Sequence, residues 1–264
     1  MELLILLKAF ILGLVEGATE FLPVSSTGHL IIVGDVLNFN DETSKVFKIV
    51  IQLGAILAIM WEYRERLGHT VANLQQKSAQ LFILNIAIAF IPAAVLGVLF
   101  HGAIKDLLFN PFTVSIALIT GGFAILAIER WAPKPWTQTV DDMSPWQALK
   151  IGLAQSVALI PGVSRAGATI LGGVVFGLSR EAATQFSFFL AIPIMFAATG
   201  YDLFKSWELL SAADFPIFAV GFITAFFAAL VAVKTLLRYV AHHDFRIFAW
   251  YRIVLGLIVF AYYW

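Results

Sequence analysis

Long stretches of the chain contain no Asp, Glu, Lys or Arg: Ser78–Ile104, Leu107–Ile128, Ala182–Tyr201 and Phe215–Val233. About 20 apolar residues cross the hydrocarbon core of a bilayer as a helix, so each stretch predicts a transmembrane span. Ile247–Trp264 is nearly as clean, with Arg252 near its start, and Val46–Trp61 is shorter and carries Lys48. With these two, the pattern predicts six spans.

Two further apolar regions are interrupted. Leu3–Val36 is broken by Glu16, Glu20, Pro23 and a Ser-Ser-Thr-Gly run at Ser25–Gly28. Ala148–Leu178 is broken by Pro161, Gly162, Ser164 and Arg165. Each leaves two arms of about 14 residues, too short to span and suited to re-entrant half-helices. Irregular backbone at membrane depth survives only where protein or a water-filled cavity satisfies it. Leu3–Val36 does not read as a signal peptide, because Lys8 interrupts it and no small-x-small cleavage site is clear.

The two broken regions align without a gap at an offset of 139 residues, pairing Gly13-Leu14 with Gly152-Leu153, Val24-Ser25 with Val163-Ser164, and Gly28 with Gly167. Glu16 then faces Gln155, and Ser26 faces Arg165. Further on, at an offset of 133, Gln52 faces Gln185. The chain therefore reads as one membrane domain over residues 1–264, with repeat one at about 1–131 and repeat two at about 146–264. Each repeat holds one broken hairpin and three spans, and an odd number of spans inverts the second copy. Loop charges agree with inversion. Arg64, Arg66, Lys77, Arg130, Lys134, Lys150, Lys234, Arg238 and Arg246 flank alternate loops, whereas 101–111 and 203–214 carry only Lys105 and Lys205. Basic loops mark the cytoplasmic side. Both ends then lie outside, and the hairpins enter from opposite faces. Inverted repeats with interrupted helices place a site where the repeats meet.

Composition narrows the class. Of 264 residues, 60% are hydrophobic and 13% charged. Soluble domains carry about 25% charged residues, so a soluble enzyme is excluded. Seventeen basic and seventeen acidic residues balance to zero, which argues against a nucleic-acid partner. The absence of cysteine excludes disulfides, zinc–thiolate sites, iron–sulfur clusters and thiol catalysis. The fold class is all-α: a polytopic integral membrane protein of six spans and two re-entrant hairpins.

The polar residues inside apolar segments carry the chemistry. Glu16 and Glu20 are spaced so that a helix points both carboxylates the same way. They read either as solvated interface groups or as a pair that holds a divalent cation or shares a proton. One of Ser25, Ser26 and Thr27 suffices to cap the following helix, which leaves hydroxyls and His29 for other work. Arg165 follows Ser164 at the second tip. It either snorkels, pairs with Glu16 or Glu20, or binds phosphate together with the N-terminus of the next arm. Gln52 and Gln185 hydrogen-bond across the repeat axis or line the site. Gly121-Gly122 and Gly172-Gly173 read as close helix contacts. His242-His243 reads as surface. Carboxylates, hydroxyls, an imidazole and a guanidinium suit phosphoryl transfer, and a site in the bilayer implies an amphiphilic substrate.

Residues Glu16–His29, reading EGATEFLPVSSTGH, and Pro161–Thr169, reading PGVSRAGAT, resemble the two signatures of the bacterial undecaprenyl-diphosphatase family, the bacitracin-resistance proteins. The resemblance covers the whole chain. It implies hydrolysis of undecaprenyl diphosphate to undecaprenyl phosphate, the carrier lipid of peptidoglycan synthesis, in the bacterial inner membrane. It also implies dependence on a divalent cation, magnesium or calcium, held by Glu16 and Glu20. Ser26, His29 and Arg165 would join the two glutamates as catalytic residues. Ser25, Thr27, Ser164, Thr169, Gln52 and Gln185 are the expected substrate-binding residues. The expected partners are a polyprenyl diphosphate and membrane lipid, with a homodimer as a further candidate. Attack by Ser26 with His29 as base, attack by His29, and direct attack by water all remain open. The rival reading from another class is a secondary transporter or lipid flippase, which the inverted repeat fits equally well.

Overall fold

The structure, a computed structural model, describes residues 2–39, 42–108, 110–206, 208 and 212–264. Among these it is all-α, and its only bridge joins Thr137 to Leu178. The first half runs α1 (Glu2–Thr19), α2 (Ser26–Val36), α3 (Glu42–Glu62), α4 (Arg64–Ala72), α5 (Lys77–Leu108) and α6 (Pro111–Trp131). The second runs α7 (Pro145–Gln155), α8 (Arg165–Val175), α9 (Arg180–Lys205), α10 (Phe215–Val240) and α11 (Arg246–Tyr263).

Among the described residues, five helices are each long and apolar enough to cross a membrane: Lys77–Phe100 within α5, then α6, α9, α10 and α11. The shorter stretch expected at Val46–Trp61 lies in α3, which reaches that standard only together with α4, across a bend of 68°. The segment 62–80, expected as a loop, thus contains a helix. Arg64, Glu65, Arg66 and His69 make α4 too polar to continue α3 through lipid. The expected span from Leu107 starts later, at Pro111. There Asn110 accepts from the Thr113 N–H at 2.8 Å and Pro111 takes the first helical position.

The arms of the broken regions are unequal. α1 has 18 residues, whereas α2, α7 and α8 have 11 each, and a 3₁₀ turn at Ser156–Leu159 follows α7. At 1.5 Å per residue α1 is about 27 Å long, close to the thickness of the hydrocarbon core. α1 is thus longer than the arm of about 14 residues expected there, although it is not among the helices apolar enough to span, and it packs along α10. A Cβ on Gly13 would stand 2.5 Å from the Gly221 carbonyl, and one on Gly152 would stand 2.5 Å from the Ala89 carbonyl. The two aligned glycines thus make the same kind of contact, α1 on α10 and α7 on α5. The Gly-Gly pairs also pack as expected, Gly122 against Ala249 and Gly173 against Ala183.

The largest core cluster joins α3, α8, α9 and α10 around Phe186, Phe188 and Phe189. Large apolar side chains face outward, Val98 and Phe204 more than 80% exposed. Apolar surface on this scale is untenable in water and ordinary against lipid tails. The chain is a multi-pass membrane protein.

Candidate active site

The site forms where the two broken regions meet. In the first, the last helical bond of α1 runs from the Glu20 N–H to the Glu16 carbonyl at 2.9 Å, so the two carboxylates share a face as the spacing predicts. The chain turns through Phe21–Val24 to Ser25, which has φ 69° and ψ 93° and accepts from the Gly28 N–H at 3.4 Å, capping α2. In the second, Gly162 at φ +94° makes the turn. Ser164, at φ 74° and ψ 115°, accepts from the Gly167 N–H at 3.0 Å and caps α8. Both serines hold a backbone conformation that costs about 1–3 kcal/mol. The surroundings must impose it.

Arg252 is the main constraint. It is 1% exposed, and it reaches both tips. Nη1 donates to the carbonyls of Pro23 (3.1 Å) and Val163 (2.9 Å), Nη2 to those of Gly162 and Ala117 (both 3.0 Å), and Nε to Leu118 at 3.4 Å. Gly121 leaves room for the guanidinium. Ser164 Oγ also donates to the Leu22 carbonyl at 3.4 Å, tip to tip.

Within this frame Glu20 is 8% exposed, and both of its oxygens have partners. Arg165 Nη2 donates to Oε1 at 2.9 Å, and the Ser26 hydroxyl donates to Oε2. Arg165 Nη1 donates to the Ser187 carbonyl at 3.2 Å, and its guanidinium lies over the Phe21 ring. The pairing of Arg165 with a glutamate, one of the sequence alternatives, is thus present. A cavity of about 220 Å³ opens beside these groups, lined by Glu20, Ser25, Ser26, Thr27, Gln52, Ser164 and Arg165. A larger groove of about 1030 Å³ between α1, α10 and α11 is apolar, with walls such as Leu14, Phe227 and Val231. It offers no charged group for phosphate chemistry.

Four expected site residues do not line the cavity. Glu16 is buried beside Glu20, one turn behind it. Thr169 bonds Ser187 Oγ at 2.6 Å and turns back to the Arg165 carbonyl at 2.8 Å, which braces α8 against α9. Gln185 is half-buried on α9, so the cavity takes Gln52 and not its repeat partner. His29 has both ring nitrogens engaged, Nδ1 with the Ser25 carbonyl and Nε2 with the Tyr251 hydroxyl, each at 2.7 Å. A carbonyl only accepts, so Nδ1 carries the proton and Nε2 is left to accept from Tyr251. The imidazole therefore props up Ser25, and the group facing Ser26 is Glu20.

Three residues of this centre were missed as site residues: Arg252, Tyr251 and Gln155. Arg252 had a signal, a charge inside an apolar stretch. Gln155 had one too, its place opposite Glu16 in the repeat, and it lines the cavity. Tyr251 had none.

Among the described residues no three His, Cys, Asp or Glu side chains converge. Glu16 and Glu20 are therefore too few for a closed protein cage. Oxygen ligands of this type suit a hard cation such as magnesium, but one shared with phosphate would have to take the place of the Ser26 and Arg165 bonds on Glu20.

Comparison with known proteins adds three close relatives, each named undecaprenyl-diphosphatase. That of Methylobacillus flagellatus is 63% identical, with the whole of both chains covered. That of Nitrosomonas europaea is 60% identical over 98% of this chain and 95% of the relative. That of Aromatoleum aromaticum is 59% identical over 99% of this chain and 96% of the relative. Residues 9–258 match the family described as bacitracin resistance protein BacA, and the chain belongs to that family.

Proposed function

We propose that the protein is a phosphatase of the bacterial cytoplasmic membrane that hydrolyses undecaprenyl diphosphate to undecaprenyl phosphate and inorganic phosphate. This returns the carrier lipid to envelope synthesis and underlies bacitracin resistance. One observation carries the reading: Ser26 and Arg165, from different hairpins, both bond the Glu20 carboxylate on the wall of one buried cavity. The name shared by relatives about 60% identical over nearly full length supports the substrate.

Arg165 binds the diphosphate and Ser26 attacks its terminal phosphorus. The Ser26 proton passes to Glu20 as the Oγ–P bond forms. The bond from that phosphorus to the bridging oxygen breaks, and the lipid monophosphate leaves with the oxygen and takes the proton from Glu20. Water then gives a proton to Glu20 and bonds to phosphorus. Inorganic phosphate departs, and Ser26 recovers its proton from Glu20. Thr27, Ser25 and Ser164 donate hydrogen bonds or shape the cavity, and His29 positions Ser25. Glu16 and Glu20 would hold a magnesium-type cation, which supplies neutralisation of phosphate charge when bound. The hairpins and their following helices form two inverted repeats, over about 1–131 and 146–264, that set the tips face to face.

The test is phosphate release from a polyprenyl diphosphate by purified protein in detergent with magnesium and no ion gradient. Chelation should stop it. Ser26→Ala should lower the rate about 10⁴-fold or more, and Arg165→Ala about 10²–10³-fold. A wild-type protein that releases no phosphate yet moves the lipid between leaflets of a vesicle would make it a transporter instead.

A further inference from the structure

Gln155 ends α7 and is 2% exposed, yet neither Nε2 nor Oε1 has a hydrogen-bond partner among the described residues. Arg165 Nε is in the same condition. Both residues line the cavity that holds Glu20 and Ser26. Buried polar groups are almost always bonded, and leaving them unpaired is costly. Two such groups on one cavity wall mark the place where ligand atoms complete the bonding.

We propose that Gln155 binds the diphosphate of the substrate. Its side-chain NH₂ donates to a non-bridging phosphate oxygen, with Arg165 Nε donating beside it. Its carbonyl end accepts from water, which the second half of the reaction consumes in the same cavity. The inference rests on the phosphatase reading and adds a residue to it. The choice of amide over carboxylate follows from charge. Gln155 occupies in the second hairpin the position that Glu16 occupies in the first. A glutamate at both positions would surround an anionic substrate with a third carboxylate and compete for Arg165. The amide supplies donors without that repulsion.

The experiment uses full-length protein in detergent, with two readouts. One is KM and kcat on a polyprenyl diphosphate. The other is the rise in melting temperature caused by a methylene-bridged, non-hydrolysable polyprenyl diphosphonate. Gln155→Leu replaces the amide by an apolar group of similar size. Its ligand-free melting temperature should equal or exceed that of wild type, while KM rises about tenfold and the ligand-induced shift shrinks. Gln155→Glu should raise KM by about a hundredfold or more, because it adds like charge beside phosphate. If Gln155→Leu melts early, Gln155→Asn decides: a raised KM at wild-type stability supports the assignment. Wild-type KM and ligand shift in these variants would overturn it. Absence of phosphate release by wild type would overturn the phosphatase reading alone, since the diphosphonate shift still reports on Gln155.

Discussion

Arg252 holds a full charge in the protein interior, and its hydrogen-bond partners are backbone carbonyls instead of a carboxylate. Carbonyl dipoles from three directions replace the water it has lost, and in exchange the planar fork fixes both tips to α6. Lysine cannot copy this, since its donors radiate from one point. Arg252→Lys should therefore release at least one tip and destabilise the protein by about 3 kcal/mol or more. Thermal unfolding in detergent measures the first effect. Phosphate release measures the second, a fall in kcat, because Ser26 and Arg165 sit directly after the two tips. A variant that melts and turns over like wild type would show that the strained serines hold themselves. The same logic separates His29 from Ser26. Both lie in one helical turn, but one nitrogen of His29 is bonded to the backbone of Ser25 and the other to Tyr251, whereas Ser26 faces the acid that can take its proton.

Helix contacts in this fold depend on missing side chains. The three atoms nearest a Cβ added at Gly152 would all be backbone atoms of Ala89, within 2.9 Å, and backbone cannot swing aside. Gly152→Ala should push α7 off α5 and cost about 1–3 kcal/mol. Gly200, inside α9, is the contrast: an added Cβ meets nothing within 4 Å. Gly200→Ala should stabilise the helix by about 0.5–1 kcal/mol, and the two melting curves should move in opposite directions. Helices of this kind were legible from sequence where a rule acts locally. Runs nearly or wholly without charge marked α5, α6, α9, α10 and α11, and the hydroxyls of Ser25, Ser26 and Thr27 marked the cap of α2. The helical state of α4 and the full length of α1 were not legible, since the polar stretch after Trp61 reads as a loop and Glu16 interrupts the first apolar arm. The site divides likewise. Glu20, Ser26 and Arg165 stood out because charge and hydroxyls interrupt apolar sequence. Gln185 lies outside the cavity that Gln52 lines, since aligning two segments relates backbones and a cavity need not take both members of a pair.

Seen as one body, the molecule is two broken hairpins clamped between lipid-facing helices, and its orientation is a testable property. The chain has no cysteine, so a single introduced thiol reports its own side of the membrane. Loop charges predict Gln138 inside and Glu208 outside, and both are exposed. A membrane-impermeant maleimide on intact cells should label Glu208→Cys and leave Gln138→Cys unlabelled; the reverse pattern would invert the topology. The interior arginine also bears on how the protein is made. An arginine within an isolated apolar helix opposes insertion, by as much as about 2.5–3.5 kcal/mol at the centre, and Arg252 near the start of α11 carries part of that cost. Each carbonyl that receives Arg252 belongs to Pro23, Ala117, Leu118, Gly162 or Val163, all upstream of it. Those groups leave the ribosome first. Helix α11 is therefore made after the groups that Arg252 bonds, and its packing on α6 places the guanidinium between the two tips.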